Sequence, residues 1–460
     1  MRKTVELRGA SRRDFIRWGI YVGGLLGVRP WRIFEVLEDT GGKALAAQAA
    51  CLSTNRSVHI VAGNGGQAWF NLLWPHVDVA QSGNDRFAFH AFGEGGLLAG
   101  TDKPLYLGPQ APWRSYGISK AVTAFMAGTN EAHTQRPISS STIGTGVGLF
   151  AACAALQSSA PTLVPVIGIS NLPYGNAPGA PSVATVPSAD GMVGLFDSAA
   201  SRMGGVLSAG GDAALFEAYY KAYLSLSAVA TRPTMTKSYN TAKTASNLLG
   251  RNLSSQLQPS SDDLARYGVS LSSQTKLLEL AKALITTAKA FKLGLCNCVL
   301  IPALQDDPHP AFADPPGLVD TVTTIGKSLD GFMADLMAVD DPTCAGRKIG
   351  DNVIISIHGD TPKDPLIRAA WPDGTPNDTN WIWVLGNGYL KTGWFGGVGV
   401  DGSTRTFDPD TGAESPGGSA GTAMAASAAV AYAVCKGDIR RVNDFYRGST
   451  LKGITVPQQM

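Results

Sequence analysis

The sequence predicts an α/β protein: a three-layer α/β/α sandwich around a mostly parallel central sheet. Three observations predict it. The last third alternates between amphipathic and apolar segments. Helical patterns over Thr275–Phe291 and Leu318–Met337 are each followed by a strand pattern, over Gly294–Ile301 and Asn352–Ile357. Those strands are apolar and β-branched throughout rather than alternating, as in sheets buried on both faces. Finally, 460 residues at 44% hydrophobic content supply enough chain for a sizeable core. Charged residues make up only 16%, which excludes a coiled coil or a charged disordered tail. A net charge of +2 gives no basis for nucleic-acid binding. A mean hydropathy of +0.03, with no apolar run of about 18 residues, excludes a polytopic membrane protein.

The chain opens with Ser11-Arg12-Arg13-Asp14-Phe15-Ile16-Arg17, a twin-arginine pattern, followed by a short Gly-containing apolar stretch, Gly19–Val28. Ten residues are too short to span a bilayer, so the pattern predicts an export signal over 1–46 and no stable transmembrane anchor. Cleavage candidates of A-x-A type stand at Ala44–Ala46 and Ala47–Ala49. Gln48 stands where a lipidation motif wants an aliphatic residue, which argues against Cys51 as a lipid site. The expected partner is the twin-arginine translocation machinery, and the expected location is periplasmic or secreted. The leader holds nine Lys and Arg against five Asp and Glu, leaving 29 against 31 beyond it. The exported part is therefore slightly acidic.

One domain is expected from 52 to 460, with a helical insertion at about 212–262. Ser57–Ala62 predicts the first strand, broken by Gly63-Asn64-Gly65-Gly66. Arg86–Phe89 predicts a short strand, and Ile118–Met126 and Ile143–Leu156 predict helices. Leu163–Ile167 is strand-like, and 171–190, rich in Pro and Gly, is a long irregular stretch. Trp381–Leu385 is a last strand, followed by Gly386-Asn387-Gly388. Cys296 and Cys298 are expected on one face of an extended strand as small buried residues. A disulfide formed after export is compatible with six scattered cysteines, but their spacing fixes no pairing.

In open α/β sheets, ligands bind at the carboxyl ends of the strands. The loops of interest are thus 63–76, 128–142, 302–316, 358–380 and 386–397. Loop 302–316 carries Asp306, Asp307, His309 and Asp314, a mix of oxygen and nitrogen donors suited to a divalent metal. Loop 358–380 carries His358, Asp360, Asp364, Asp373 and Asp378. Loop 128–142 carries Glu131 and His133, then Ser139-Ser140-Ser141-Thr142 ahead of an expected helix, where a hydroxyl nucleophile would face an anion. The same residue types also form turns and helix caps, and both readings stand at this point.

The order of these pieces resembles a large family of twin-arginine-exported bacterial proteins in the alkaline phosphatase and sulfatase superfamily. The resemblance runs from Ser11 to about Gly417. It rests on the Arg-Arg-Asp-Phe leader and on Gly65–Pro75, where the family carries a Gly-Gly-Pro-Ser-His segment. It rests further on Asp306–His309, Ile357–Pro362, Pro376–Trp381 and Leu385–Gly393. The departures fall on chemistry. Trp69 stands at the family's His, and Asn71 and Trp74 at its two Asp. Six N/O ligands for two metals cannot be assembled. The resemblance implies an alkaline-phosphatase-like fold with at most one divalent metal, held by Asp307, His309 and Asp378, with His133 or His358 as fourth donor. Trp69 and Trp74 would wall off the second metal position. Three functions follow as expectations. The first is a non-catalytic or much-altered relative with a binding or surface role. The second is a single-metal hydrolase of phosphate or sulfate esters. The third is a carbohydrate-binding or surface-assembly module using Trp371, Trp381, Trp383 and Trp394.

Overall fold

A computed structural model describes residues 51–77, 95–127, 134–160, 162–197, 252–307, 314–360, 380–398, 404–416 and 420–458. The leader with Arg12 and Arg13, the Arg86–Phe89 strand and most of the 212–262 insertion lie outside the described residues.

Eight strands form the main sheet. They are β1 (Arg56–Ala62), β2 (Val122–Met126), β3 (Val166–Ile169), β4 (Ala184–Val186), β5 (Cys298–Ala303), β6 (Val353–His358), β7 (Trp381–Leu385) and β8 (Gly393–Phe395). Their order across the sheet is β8-β2-β7-β6-β1-β5-β3-β4. β1 pairs in parallel with β6 and β5, β5 with β3, β3 with β4, and β8 with β2. β7 runs antiparallel to both of its neighbours, so the sheet is mixed. The strand patterns of β5 and β6 thus flank β1 in one sheet, as expected.

Alternation along the central strands feeds two separate cores. Val58 and Ile60 of β1, Val299 and Ile301 of β5, and Trp381 and Trp383 of β7 face one core. Val61, Leu300, Ile354, Ile382 and Val384 face the other. The first core is covered chiefly by α2 (Ala189–Leu195), α3 (Thr275–Lys292) and α4 (Pro315–Met337). α3 and α4 bury apolar stripes at helical spacing and pack on each other. Pro315 fits the first turn of α4, where no backbone donor is needed. The second core is covered by α1 (Leu149–Gln157) and α5 (Ala420–Val434). The Ala-rich α5 lies against α1 and β6, and small side chains permit that close approach.

Three sequence expectations are corrected. Val122–Met126 is a strand, not a helix; only Ile118–Lys120 ahead of it turns, as a single 3-10 turn. Residues 142–148 form a hairpin, so the helix expected from Ile143 begins at Leu149. Cys296 lies ahead of β5 rather than within it, and Cys296 and Cys298 enter different cores. Both are buried small residues, and burial pushes the Cys298 thiol up to about 12.

The entry to β1 is fastened at the opposite edge from the strand ends of interest. A disulfide joins Cys51 to Cys344, which engages the Cys51 sulfur. Beside it Arg56 donates to both oxygens of Asp341, at 2.9 and 3.2 Å, and both side chains are buried. Asn352 and Thr343 donate to the same carboxylate, so the buried charge is fully bonded.

Candidate functional site

The carboxyl ends of β1, β5 and β6 and the start of β7 converge on Gly65. Asn64 and Gly65 take left-handed backbone, at φ 51° and 83°, which turns the chain sharply out of β1. Leu304, just after β5, also has a positive φ of 36°. A Cβ on Gly66 would lie 1.5 Å from the Leu304 carbonyl oxygen, so only glycine permits this crossing. Backbone strain of this kind concentrates at functional sites.

Two carboxylates meet at this crossing. Gly65 N–H donates to both oxygens of Asp360, at 3.1 and 3.0 Å, and Asp360 is fully buried. Asp307 packs on the same glycine from the β5 side: its Oδ2 is 3.1 Å from where a Gly65 Cβ would stand. Asp307 is half-buried. Gly359 leaves room for the Gln67 side chain, which would contact a Cβ there at 2.4 Å. Gln67 donates through Nε2 to the Trp381 carbonyl, while its buried Oε1 has no partner among the described residues. Asn380 donates to the Gly359 carbonyl at 2.8 Å and accepts from Trp381 N–H at 2.9 Å, tying β7 to the end of β6.

A second polar group lies deeper, on the α1 side of the sheet. His358 Nδ1 is 2.7 Å from the Ser140 carbonyl, and its Nε2 is 2.7 Å from Ser356 Oγ. His59 Nδ1 is 2.8 Å from the same hydroxyl. These partners assign the protons. A carbonyl only accepts, so His358 carries its proton on Nδ1 and Ser356 donates to His358 Nε2. His59 then donates from Nδ1 to Ser356 Oγ, and the His59 Nε2 lone pair is left without a partner among the described residues. Both rings are fully buried around Phe150. Burial lowers His358 to about 4 and holds His59 well below its ordinary value, the His358 charge adding to the effect at His59. Both imidazoles are neutral.

The sequence-predicted residues separate accordingly. Asp307 reaches the crossing; His309, Asp378, His133 and Trp371 lie outside the described residues. Both ring nitrogens of His358 are engaged, by the Ser140 carbonyl and the Ser356 hydroxyl, so it is not a spare donor. The Ser139–Ser141 segment is a 3-10 turn leading into a hairpin, not a helix N-terminus, because the chain extends again at Thr142. Ser140 donates to the Gly359 carbonyl, and Ser141 and Thr142 donate to carbonyls at 137 and 138. Trp69 and Trp74 are buried; Trp69 Nε1 donates to the Asp306 carbonyl, and Lys276 sits 4.8 Å over its ring while pairing with Asp306 at 2.5 Å. Trp381, Trp383 and Trp394 are core side chains exposed by 4% or less, so they form no open stacking platform. Sequence reasoning named Asp360 only as a loop member and missed His59. The available signal was a histidine on an otherwise apolar strand, two residues from Ser57 and on the same face.

Among the described residues, no group of three or more His, Cys, Asp or Glu is placed to hold a metal ion. Asp307 and Asp360 alone are too few for a closed divalent site, and Asp360 already spends both oxygens on a backbone amide. The described donors therefore do not fit a metal. Comparison with known protein families, with curated proteins and with solved structures finds no match.

Proposed function

We propose that this is an exported protein built on an alkaline phosphatase/sulfatase-like fold, a mostly parallel three-layer sandwich, in which the ancestral strand-end centre no longer does metal chemistry. Its role is binding. The observation that carries the reading is that three strand-end groups which metal or nucleophilic chemistry would need are already engaged. Asp360 is bonded through both oxygens, Ser140 donates to a backbone carbonyl, and His358 is closed into a neutral chain. Further support comes from position. The described parts of segments that carry the family resemblance, around Gly65, Asp307, Asp360 and Trp381, come together at one edge of the sheet.

The export reading draws support from the Cys51–Cys344 disulfide, since such bonds persist in oxidising compartments. Twin-arginine export to the periplasm or beyond is tested by Arg12→Lys with Arg13→Lys. The precursor is then expected to stay in the cytoplasm on fractionation, and normal delivery would overturn the assignment.

The binding reading is tested on the purified exported chain by metal analysis, together with turnover of p-nitrophenyl phosphate and p-nitrophenyl sulfate. Expected are substoichiometric metal and no turnover above background. One equivalent of zinc or manganese with chelator-sensitive turnover would instead establish a single-metal hydrolase. That second reading draws on one observation: Asp307, Asp360 and Gln67 place three oxygen-bearing side chains around Gly65 and Gly359.

A further inference from the structure

The clasp between Cys51 and Cys344 differs chemically from the other four cysteines. Cys153, Cys296, Cys298 and Cys435 are free thiols, each 1% exposed or less. Cys296 sits in the first core, and the other three share the second. Burial pushes the Cys298 and Cys435 thiols up to about 12 and raises Cys153 and Cys296 as well. Disulfide exchange needs a thiolate that a reagent can reach, so the fold withholds all four on both counts. The two clasp residues also differ from each other. Cys51 is half-buried, whereas Cys344 is 3% exposed.

Both sides of the clasp are held in place by bonds that do not involve sulfur. Asn55 donates from its backbone N–H to the Val434 carbonyl and from Nδ2 to the Ala433 carbonyl, both at 2.8 Å. Arg56 is fixed by Asp341. The chain from Asn55 back to Cys51 reaches at most about 14 Å, so this anchor limits where Cys51 can go. On the other side, Asp341 N–H donates to the Arg347 carbonyl at 2.8 Å. Cys344 N–H donates to the Asp341 carbonyl at 3.1 Å, and Arg347 N–H to the Cys344 carbonyl at 3.2 Å. That turn closes through its own backbone and presents Cys344 without help from the disulfide. The Arg56–Asp341 pair joins the two anchors, so the folded chain brings the two cysteines together before any oxidation.

We infer that the Cys51–Cys344 bond closes on the already folded chain, outside the cytoplasm, with Cys51 as the entry thiol and Cys344 as the resolving thiol. The timing rests on the export reading; the order of attack does not. The Cys51 thiolate attacks the disulfide of an oxidant, either a disulfide oxidoreductase or a small-molecule disulfide. A mixed disulfide forms and one thiolate leaves. The Cys344 thiolate then attacks the Cys51 sulfur, forms the protein S–S bond and expels the second thiolate. Two protons leave the cysteines, and two electrons pass to the oxidant, which ends as thiols. The consequence is faithful pairing. A chain that met the oxidant unfolded would offer all of its cysteines, whereas the folded chain offers a single pair.

The test uses the purified exported chain, reduced without denaturant and then exposed to oxidised glutathione, with acid quench, alkylation and peptide mass spectrometry. Expected are restoration of the Cys51–Cys344 bond and no modification of the four core cysteines until denaturant is added. In Cys344→Ser a glutathione adduct is expected to accumulate at Cys51. In Cys51→Ser the adduct at Cys344 is expected to form about tenfold more slowly or less readily still. Far-UV dichroism of the reduced chain and of both variants is expected to match that of the oxidised chain. Equal rates at the two cysteines, modification of a core cysteine in the folded chain, or loss of the folded signal on reduction would each overturn the inference. Timing is read in cells from the Arg12→Lys, Arg13→Lys chain. Retained in the cytoplasm, it is expected to carry Cys51 and Cys344 as thiols, and a closed clasp there overturns the timing. Normal delivery of that chain would overturn the export reading and the timing with it, while the order of attack is decided on the purified chain.

Discussion

The two faces of the central sheet both bury apolar side chains, but only one of them also buries a polar chain. On the α3–α4 face the core is aromatic: Trp69, Trp74, Trp113, Trp381, Trp383 and Trp394 all belong to it. Their indole N–H groups are mostly spent on backbone carbonyls, as in Trp113 to Leu329 and Trp383 to Trp74. On the α5 face the helix is nearly all small residues, and beside an apolar core that includes Phe125, Phe150, Phe395 and Phe407 this face carries a buried polar chain, His59–Ser356–His358. Both faces are held by buried area, but only this one also holds hydrogen bonds that must stay complete. An apolar core loses stability in proportion to what is removed. The polar chain also loses it when a proton is added.

The largest expected effect is on the aromatic face. Trp383 is 1% exposed and touches Trp381 and Trp394 edge-on. Trp383→Ala is expected to cost about 3–5 kcal/mol through lost transfer energy and the cavity that remains. Chemical denaturation reads this directly. A loss below about 1 kcal/mol would mean that the tryptophans are not the mechanical core of this face.

The polar face predicts an acid limb in stability. His358 is held at about 4 in the folded chain, below its ordinary 6.5, by burial. The unfolded chain therefore binds the proton more readily. Stability is fully present above about pH 6.5 and is lost as pH falls towards 4, by on the order of 3 kcal/mol for this residue. His59 shifts in the same direction and steepens the limb. His358→Gln can still donate to the Ser140 carbonyl and accept from Ser356, so it is expected to flatten the limb while keeping most of the stability at pH 7.5. An unchanged pH profile in this variant would place the acid sensitivity elsewhere.

The same contrast explains what the sequence revealed. β5, β6, β7, α3 and α4 were legible because apolar β-branched runs and 3.6-residue stripes report burial on two sides or on one. α5 carries no stripe, because it is buried on nearly every side, and periodicity vanishes when no face meets water. Val122–Met126 was misread because a short apolar run does not distinguish a buried strand from a buried helix. The reversal of β7 leaves no local trace in Trp381–Leu385, since strand direction is set by the path of the chain between elements. Of the five loops, 63–76 and the described parts of 302–316 and 358–380 meet at the carboxyl ends of β1, β5 and β6, with Asp307 among them, whereas 386–397 starts at the opposite edge because β7 is reversed. The partner carboxylate Asp360 could not be singled out among five loop residues, because its role depends on a Gly65 amide 295 residues away.

The smallest expected effect separates those two carboxylates and tests where structure ends and binding begins. Asp360 is fully buried and accepts one amide through both oxygens. Asp360→Asn keeps the volume but replaces one acceptor with an amide NH2 donor facing the Gly65 N–H. It is expected to cost about 1–3 kcal/mol, in the range for a hydrogen bond to a charged group. Asp307 is half-buried and packs on Gly65. Asp307→Asn is isosteric and leaves that packing intact, so its expected effect on stability is the smaller of the two. Urea denaturation of both variants under one buffer gives the comparison. A larger loss for Asp307→Asn than for Asp360→Asn would mean that Asp307 is the structural carboxylate and would return Asp360 to the list of groups available to a ligand.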